Sequence, residues 1–182
     1  MTRAPDRWPT FSVPFEHFRL AGDLCGDPPP QALVLHGGGP ASGRALFQNL
    51  RRALWERGVG TAAFDCVGHG ETGGRLEGSS LESRTRQALT VLGSLTGPPR
   101  GLMGVSMGGY TAVKLLASAG IDRLVLIVPA VYAREAYGQP FGAPFSRVIR
   151  RPRSWAGSDA WDLLGGFTGR LLVVAGENDA VI

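Results

Sequence analysis

Short runs that are apolar at every position, each followed by a stretch of helical spacing, constrain this chain more than any other feature. Ala32-Leu33-Val34-Leu35, Val59 to Phe64, Gly101 to Val105, Leu124 to Val128 and Leu171 to Ala175 are such runs. A strand that is apolar on both faces must be covered on both faces, and this is the setting of a parallel sheet flanked by helices. Between the runs, Leu46, Phe47, Leu50, Leu54 and Trp55 recur at helical spacing within Arg44 to Arg57, and Gly58 ends that stretch. Helices are also predicted over Leu81 to Leu95, Met107 to Ser118 and Ser158 to Phe167, the last with Ser158 as its cap. At the start, Phe15 to Leu20 followed by Ala21-Gly22-Asp23 predicts an antiparallel hairpin that turns at those three residues. The expected fold is a doubly wound, mostly parallel α/β sheet in a single domain over residues 1–182, with a loop-rich insertion over residues 131–157.

Composition narrows the function classes. No stretch of about 18 apolar residues is present, so no membrane-spanning helix is expected, and Met1 to Trp8 lacks the apolar centre of a signal peptide. The two cysteines, Cys25 and Cys66, lack metal-ligand spacing and form no disulfide framework, which points to a cytoplasmic protein. The formal charge of +4 comes almost wholly from arginine, Lys114 being the only lysine. The arginines are scattered apart from Arg147, Arg150, Arg151 and Arg153, so a solvated face is expected and a nucleic-acid partner is not.

In a doubly wound sheet the site lies at the carboxyl ends of the strands. His36, Asp65, Ser106 and Asp179 all stand at or just after such ends. Ser106 sits in Gly104-Val105-Ser106-Met107-Gly108, a pattern that is weak alone but here joins a strand directly to a helix. Such a sharp turn strains the serine backbone, and the flanking glycines remove side chains that would clash. The helix start also turns backbone N–H groups towards the reacting centre. The competing reading is a serine that only caps the helix. Acyl transfer needs donors aimed where a carbonyl oxygen becomes negative. Met107 N–H is one candidate, and the loop His36-Gly37-Gly38-Gly39-Pro40 offers Gly38 first and Gly37 second, against the reading of a plain glycine turn.

These motifs resemble those of the α/β-hydrolase family over nearly the whole chain. His36 to Gly39 resembles the family's oxyanion loop, Gly104 to Gly108 its nucleophile elbow, and Asp65 to Thr72 the loop after its fourth strand. Gly176 to Ile182 is similar to the segment that carries its catalytic acid. The resemblance implies a serine hydrolase acting on a carboxylic ester or related small acyl compound, with Ser106 as nucleophile and Asp179 as acid, and without metal or organic cofactor. Glu177 fits the acid position less well, being closer to the strand end. The family order is serine, acid, histidine, yet no histidine follows Asp179. His17, His36 and His69 remain: His17 in the opening hairpin, His36 expected to brace the oxyanion loop, His69 expected to be pinned locally with Asp65 near by. The expectation is therefore an incomplete chain, its last strand and helix missing, with Leu171 to Ala175 left as an exposed edge strand. Residues 131–157 would form a short cap, with Tyr132, Tyr137, Phe141, Phe145 and Trp155 as pocket walls or as packing. The alternatives are a non-catalytic binding or scaffold protein, or a lyase, transferase or perhydrolase on the same fold.

Overall fold

The computed structural model describes residues 8–117 and 120–178. Among the described residues, seven strands form one sheet in the order β1-β2-β4-β3-β5-β6-β7. They are β1 (Thr10–Phe15), β2 (Phe18–Cys25), β3 (Ala32–Leu35), β4 (Thr61–Phe64), β5 (Gly101–Val105), β6 (Arg123–Ile127) and β7 (Arg170–Val174). β1, β2 and β4 pair antiparallel, while β4, β3, β5, β6 and β7 run parallel, as the apolar runs predict. The parallel order reverses at β3, which has β4 on one side and β5 on the other. The crevice outside the carboxyl ends of β3 and β5 is therefore the switch point of the sheet, where doubly wound folds place their ligands.

The helices are α1 (Gln48–Trp55), α2 (Leu81–Ser94), α3 (Met107–Leu115), α4 (Ala143–Ile149) and α5 (Ala160–Gly165). Leu33, Leu35, Leu102, Leu124 and Leu126 of the sheet pack with Ala88, Val91, Tyr110 and Val113 of α2 and α3 in the larger core. On the opposite face Val34, Ala63 and Met103 meet Phe47, Leu50 and Leu54. The side-chain oxygen of Ser80 accepts from Ser83 N–H at 3.0 Å and so caps α2. At α5 the residue before the helix is Asp159, although Ser158 Oγ still accepts from Ala160 N–H at 3.2 Å. Residues 44–47 form a 3-10 turn before α1 in place of the first turn of the expected longer helix.

The opening hairpin is present, but its turn lies at Glu16 and His17, with Phe15 opposite Phe18. Ala21, Gly22 and Asp23 are inside β2, where Gly22 pairs with Phe11 on one side and Phe64 on the other. Glycine is required there by packing and not by a turn, because a Cβ on Gly22 would overlap the Phe11 ring. Residues 131–157 fold as a 3-10 turn at Arg134–Ala136, helix α4 and a second 3-10 turn at Ser154–Gly157. Phe141 and Phe145 are buried, ring to ring at 5.0 Å, and Phe145 lies 5.4 Å from Tyr132. Tyr132 in turn meets Tyr110 of α3 edge-on at 5.4 Å. Lys114 Nζ and Asp159 Oδ2, 2.6 Å apart, tie α3 to the start of α5. At the sheet edge, Leu171, Leu172, Val173 and Val174 are between 43% and 56% exposed. No helix among the described residues is long and apolar enough to cross a membrane.

A buried ion network fastens the antiparallel strands to the parallel sheet. Asp23 of β2 accepts from Arg44 Nε at 2.7 Å and from Arg51 Nη1. Arg51 is fully buried and also donates to Thr61 Oγ1 at 3.0 Å and to the Asp23 carbonyl at 3.0 Å. Removing one member of such a network leaves the other charges desolvated and unpaired, which costs about 3–5 kcal/mol. Asp23→Ala is accordingly expected to lower unfolding stability by about 3 kcal/mol in urea titration; a loss below about 1 kcal/mol, the level of an exposed ion pair, would contradict the network's role.

Candidate active site

The turn from β5 into α3 holds Ser106 at φ 51 and ψ −120, a conformation that residues with a side chain rarely adopt. Three main-chain bonds fix it. Ser106 N–H donates to Ile127 O at 3.0 Å, and the Ser106 carbonyl accepts from Gly109 N–H at 2.9 Å and Ala130 N–H at 3.1 Å. The flanking glycines are demanded by close approach. A Cβ on Gly104 would stand 2.6 Å from Gly109 Cα, and one on Gly108 would stand 2.6 Å from His36 O while overlapping Leu35 O. Ser106 stands at the N-cap position of α3, but its hydroxyl makes no capping bond to the helix. Met107 is the first residue of α3, where backbone N–H groups lack intrahelical partners.

The loop after β3 lies against this turn. Gly37 borders the serine directly: a Cβ there would lie 3.4 Å from Ser106 Cβ. Gly38 is covered by Met107, since a Cβ on it would meet Met107 Cε at 2.5 Å and Sδ at 2.6 Å, whereas Gly39 faces open space. Gly37, Gly38, Ser106 and Met107 are thus brought together. His36, buried to 1% exposure, has Nδ1 2.7 Å from Gly37 O and Nε2 3.0 Å from Cys66 N. A carbonyl only accepts and an amide only donates, so the ring is neutral with its proton on Nδ1. Burial, reinforced by Arg84 and His69, holds its pKa well below the usual histidine value. Both ring nitrogens are engaged, and His36 braces the loop.

His69 is buried and packs edge-on against His36 with ring centroids 4.6 Å apart, with backbone groups of Val67, Gly38 and Gly39 beside its ring and no bond to Asp65. Asp65 is taken elsewhere: Oδ1 accepts from Arg44 N–H at 2.8 Å, and Oδ2 from Glu71 N–H at 3.0 Å and from the Arg44 guanidinium. Gly70, at φ 46, permits this, because a Cβ on it would overlap the Asp65 carboxylate. Burial and Arg84 also lower the His69 pKa. His17 remains in the hairpin, its ring 4.2 Å from that of Phe18. Asp179 lies outside the described residues. No group of side chains suited to a metal ion occurs among the described residues. Arg84 of α2, which sequence reasoning missed, is buried beneath the loop and donates from Nη2 to His36 O at 2.6 Å and to Gly37 O at 3.1 Å.

The histidines set a pH dependence. Their pKa values are depressed in the folded state, so the unfolded chain binds protons first, at about pH 6.5. Their stabilising contribution is complete above about pH 6.5 and is lost as pH falls below it, by up to about 1.4 kcal/mol per pH unit for each histidine. Thermal unfolding is expected to move to lower temperature between about pH 7.5 and about pH 5.5, with a shallower slope in His36→Gln. An identical slope in the variant would contradict the neutral, buried state of His36.

Residues 27–159 match the family model described as serine aminopeptidase, S33. Among solved structures, VinJ is similar at 26% identity with a TM-score of 0.53, over 66% of this chain and 44% of that one. An esterase from Exiguobacterium antarcticum is similar at 24% identity with a TM-score of 0.58, over 78% of this chain and 53% of that one. A membrane phospholipase A, described as a bacterial virulence factor, gives 18% identity and a TM-score of 0.67 over 96% and 72% of the two chains. The chain spans about half the length of the first two of these structures. No curated protein sequence matches it.

Proposed function

The chain belongs to the serine aminopeptidase S33 family of α/β hydrolases, and from that premise we propose that it cleaves a carboxylic ester or related small acyl compound through an acyl-enzyme on Ser106. The observation that carries this reading is the Ser106 backbone, held at φ 51 at the switch point of the sheet with its hydroxyl free of any capping bond. A strained nucleophile at a strand-to-helix turn presents its oxygen to a substrate above the strand ends. Ser106 Oγ attacks the acyl carbon and gives up its proton to a histidine base, whose place in the family order is after Asp179. The carbonyl oxygen becomes negative and is received by the N–H groups of Met107 and Gly38, with Gly37 as the second choice for the latter place. The alcohol or thiol leaves with a proton, and water then releases the acid from Ser106. Asp179 is assigned the role of the acid that orients the base. His36 is not that base, since its lone pair is already engaged by Cys66 N–H.

Ser106, Asp179 and the two amides are groups of the chain itself, and the proposed reaction includes no metal or organic cofactor. The esterase likeness supports an acyl substrate. Cys25 and Cys66 are buried free thiols and favour a cytoplasmic setting.

A fluorophosphonate probe tests the reading on the full chain. The expected result is covalent labelling of Ser106 that is lost in Ser106→Ala while the unfolding midpoint of the variant stays at or above that of the parent. A folded chain that carries a histidine after Asp179 and still remains unlabelled overturns the proposal and favours a binding protein on the same fold.

A further inference from the structure

Three consecutive glycines follow His36, and glycine has more backbone freedom to lose on ordering than any other residue. A donor on that loop aims at a reacting oxygen only if something outside the loop fixes its peptide planes. Two groups touch the Gly37 carbonyl: the Nδ1–H of His36 at 2.7 Å and Nη2 of Arg84 at 3.1 Å. The same Arg84 nitrogen holds the His36 carbonyl at 2.6 Å.

Arg84 is an unusual group to find there. It is 1% exposed, none of its nitrogens forms an ion pair with a carboxylate among the described residues, and Nε and Nη1 have no hydrogen-bond partner among them. The other strongly buried arginines among the described residues, Arg44 and Arg51, are paired with Asp23. A buried cation without a counter-ion is costly, and the groups it does touch are the carbonyls of the loop.

We propose that Arg84 is a positioning residue for the oxyanion loop, which holds the carbonyls of His36 and Gly37 so that the N–H groups of Gly37 and Gly38 face away from it, towards Ser106. The geometry follows from the peptide bond. In a trans peptide the C=O of one residue and the N–H of the next point in opposite directions. With the Gly37 carbonyl on Arg84, the Gly38 N–H is turned away from the guanidinium; Gly37 borders Ser106, and a Cβ on Gly38 would meet Met107. The charge acts in the same sense as the geometry. A guanidinium on the carbonyl oxygen polarises the peptide and strengthens its N–H as a donor, and a fixed positive charge favours an arriving oxyanion. The same charge, after burial, lowers the pKa values of His36 and His69.

The inference rests on the reading of Ser106 as nucleophile, and its test keeps the two separate. In the full chain, Arg84→Met removes both the donor and the charge, while Arg84→Gln keeps an N–H donor and removes the charge. By amide relaxation, Gly37 and Gly38 are expected at order parameters of about 0.85 in the parent and below about 0.6 in Arg84→Met, with α3 unchanged. The maximal rate of Ser106 labelling by a fluorophosphonate is expected to fall roughly 10- to 100-fold in Arg84→Met, with the half-saturating probe concentration nearly unchanged. Arg84→Gln is expected to restore order in the loop but only part of the rate, and it carries the test if Arg84→Met does not fold. Unchanged order parameters at Gly37 and Gly38 overturn the proposal, as does a disordered loop that leaves the labelling rate unaffected. A chain that carries a histidine after Asp179 and is never labelled defeats the nucleophile reading, while the order parameters still decide whether Arg84 fixes the loop.

Discussion

Much of the architecture depends on one backbone approach: the start of α3 lies so close to the end of β3 that Gly108 touches the carbonyls of Leu35 and His36. No side chain fits there. That contact sets the turn carrying Ser106 against the loop carrying Gly37 and Gly38, which arrive from sequence positions about seventy residues apart. It also demands that the chain reverse direction sharply after β5, and the left-handed conformation of Ser106 is the result. The strain is held by the Ile127 carbonyl and by the N–H groups of Gly109 and Ala130, so the neighbouring strand β6 contributes to the turn as much as α3 does.

Buried charge is used in two contrasting ways. Arg44 and Arg51 converge on Asp23, and Arg44 also reaches Asp65 and Glu71. That network joins β2, the segment before α1, and the loop after β4, and its charges offset one another. Arg84 has no such counter-ion among the described residues, and its partners are two carbonyl dipoles. The first arrangement fixes the scaffold. The second leaves net positive potential beneath the loop next to Ser106, where a developing negative charge would be stabilised.

The parallel sheet was legible because strands buried on both faces leave apolar runs that nothing else explains, and β3, β4 and β5 are almost wholly buried. The turn at Ser106 was legible from its glycines for the same kind of steric reason. The hairpin turn was misplaced because Gly22 carries a turn signal, while its actual use is to admit the Phe11 ring. Asp65, expected near His69, has its carboxylate claimed by Arg44, a residue distant in sequence that carries no local signal of the pairing. Arg84 was missed because arginine on an amphipathic helix normally faces water. A signal was available: Leu81, Arg84, Ala88 and Val91 fall on one stripe of α2, so the arginine stands on the buried face.

Ser106, Met107 and Gly38 are proposed to form one acyl-transfer site. A crystal structure of the full chain after reaction with a fluorophosphonate tests it most directly. The expected result is phosphorus bonded to Ser106 Oγ, with one phosphonyl oxygen about 2.7–3.1 Å from both Met107 N and Gly38 N. A phosphonyl oxygen directed away from those two amides, or an adduct on any other residue, would contradict it.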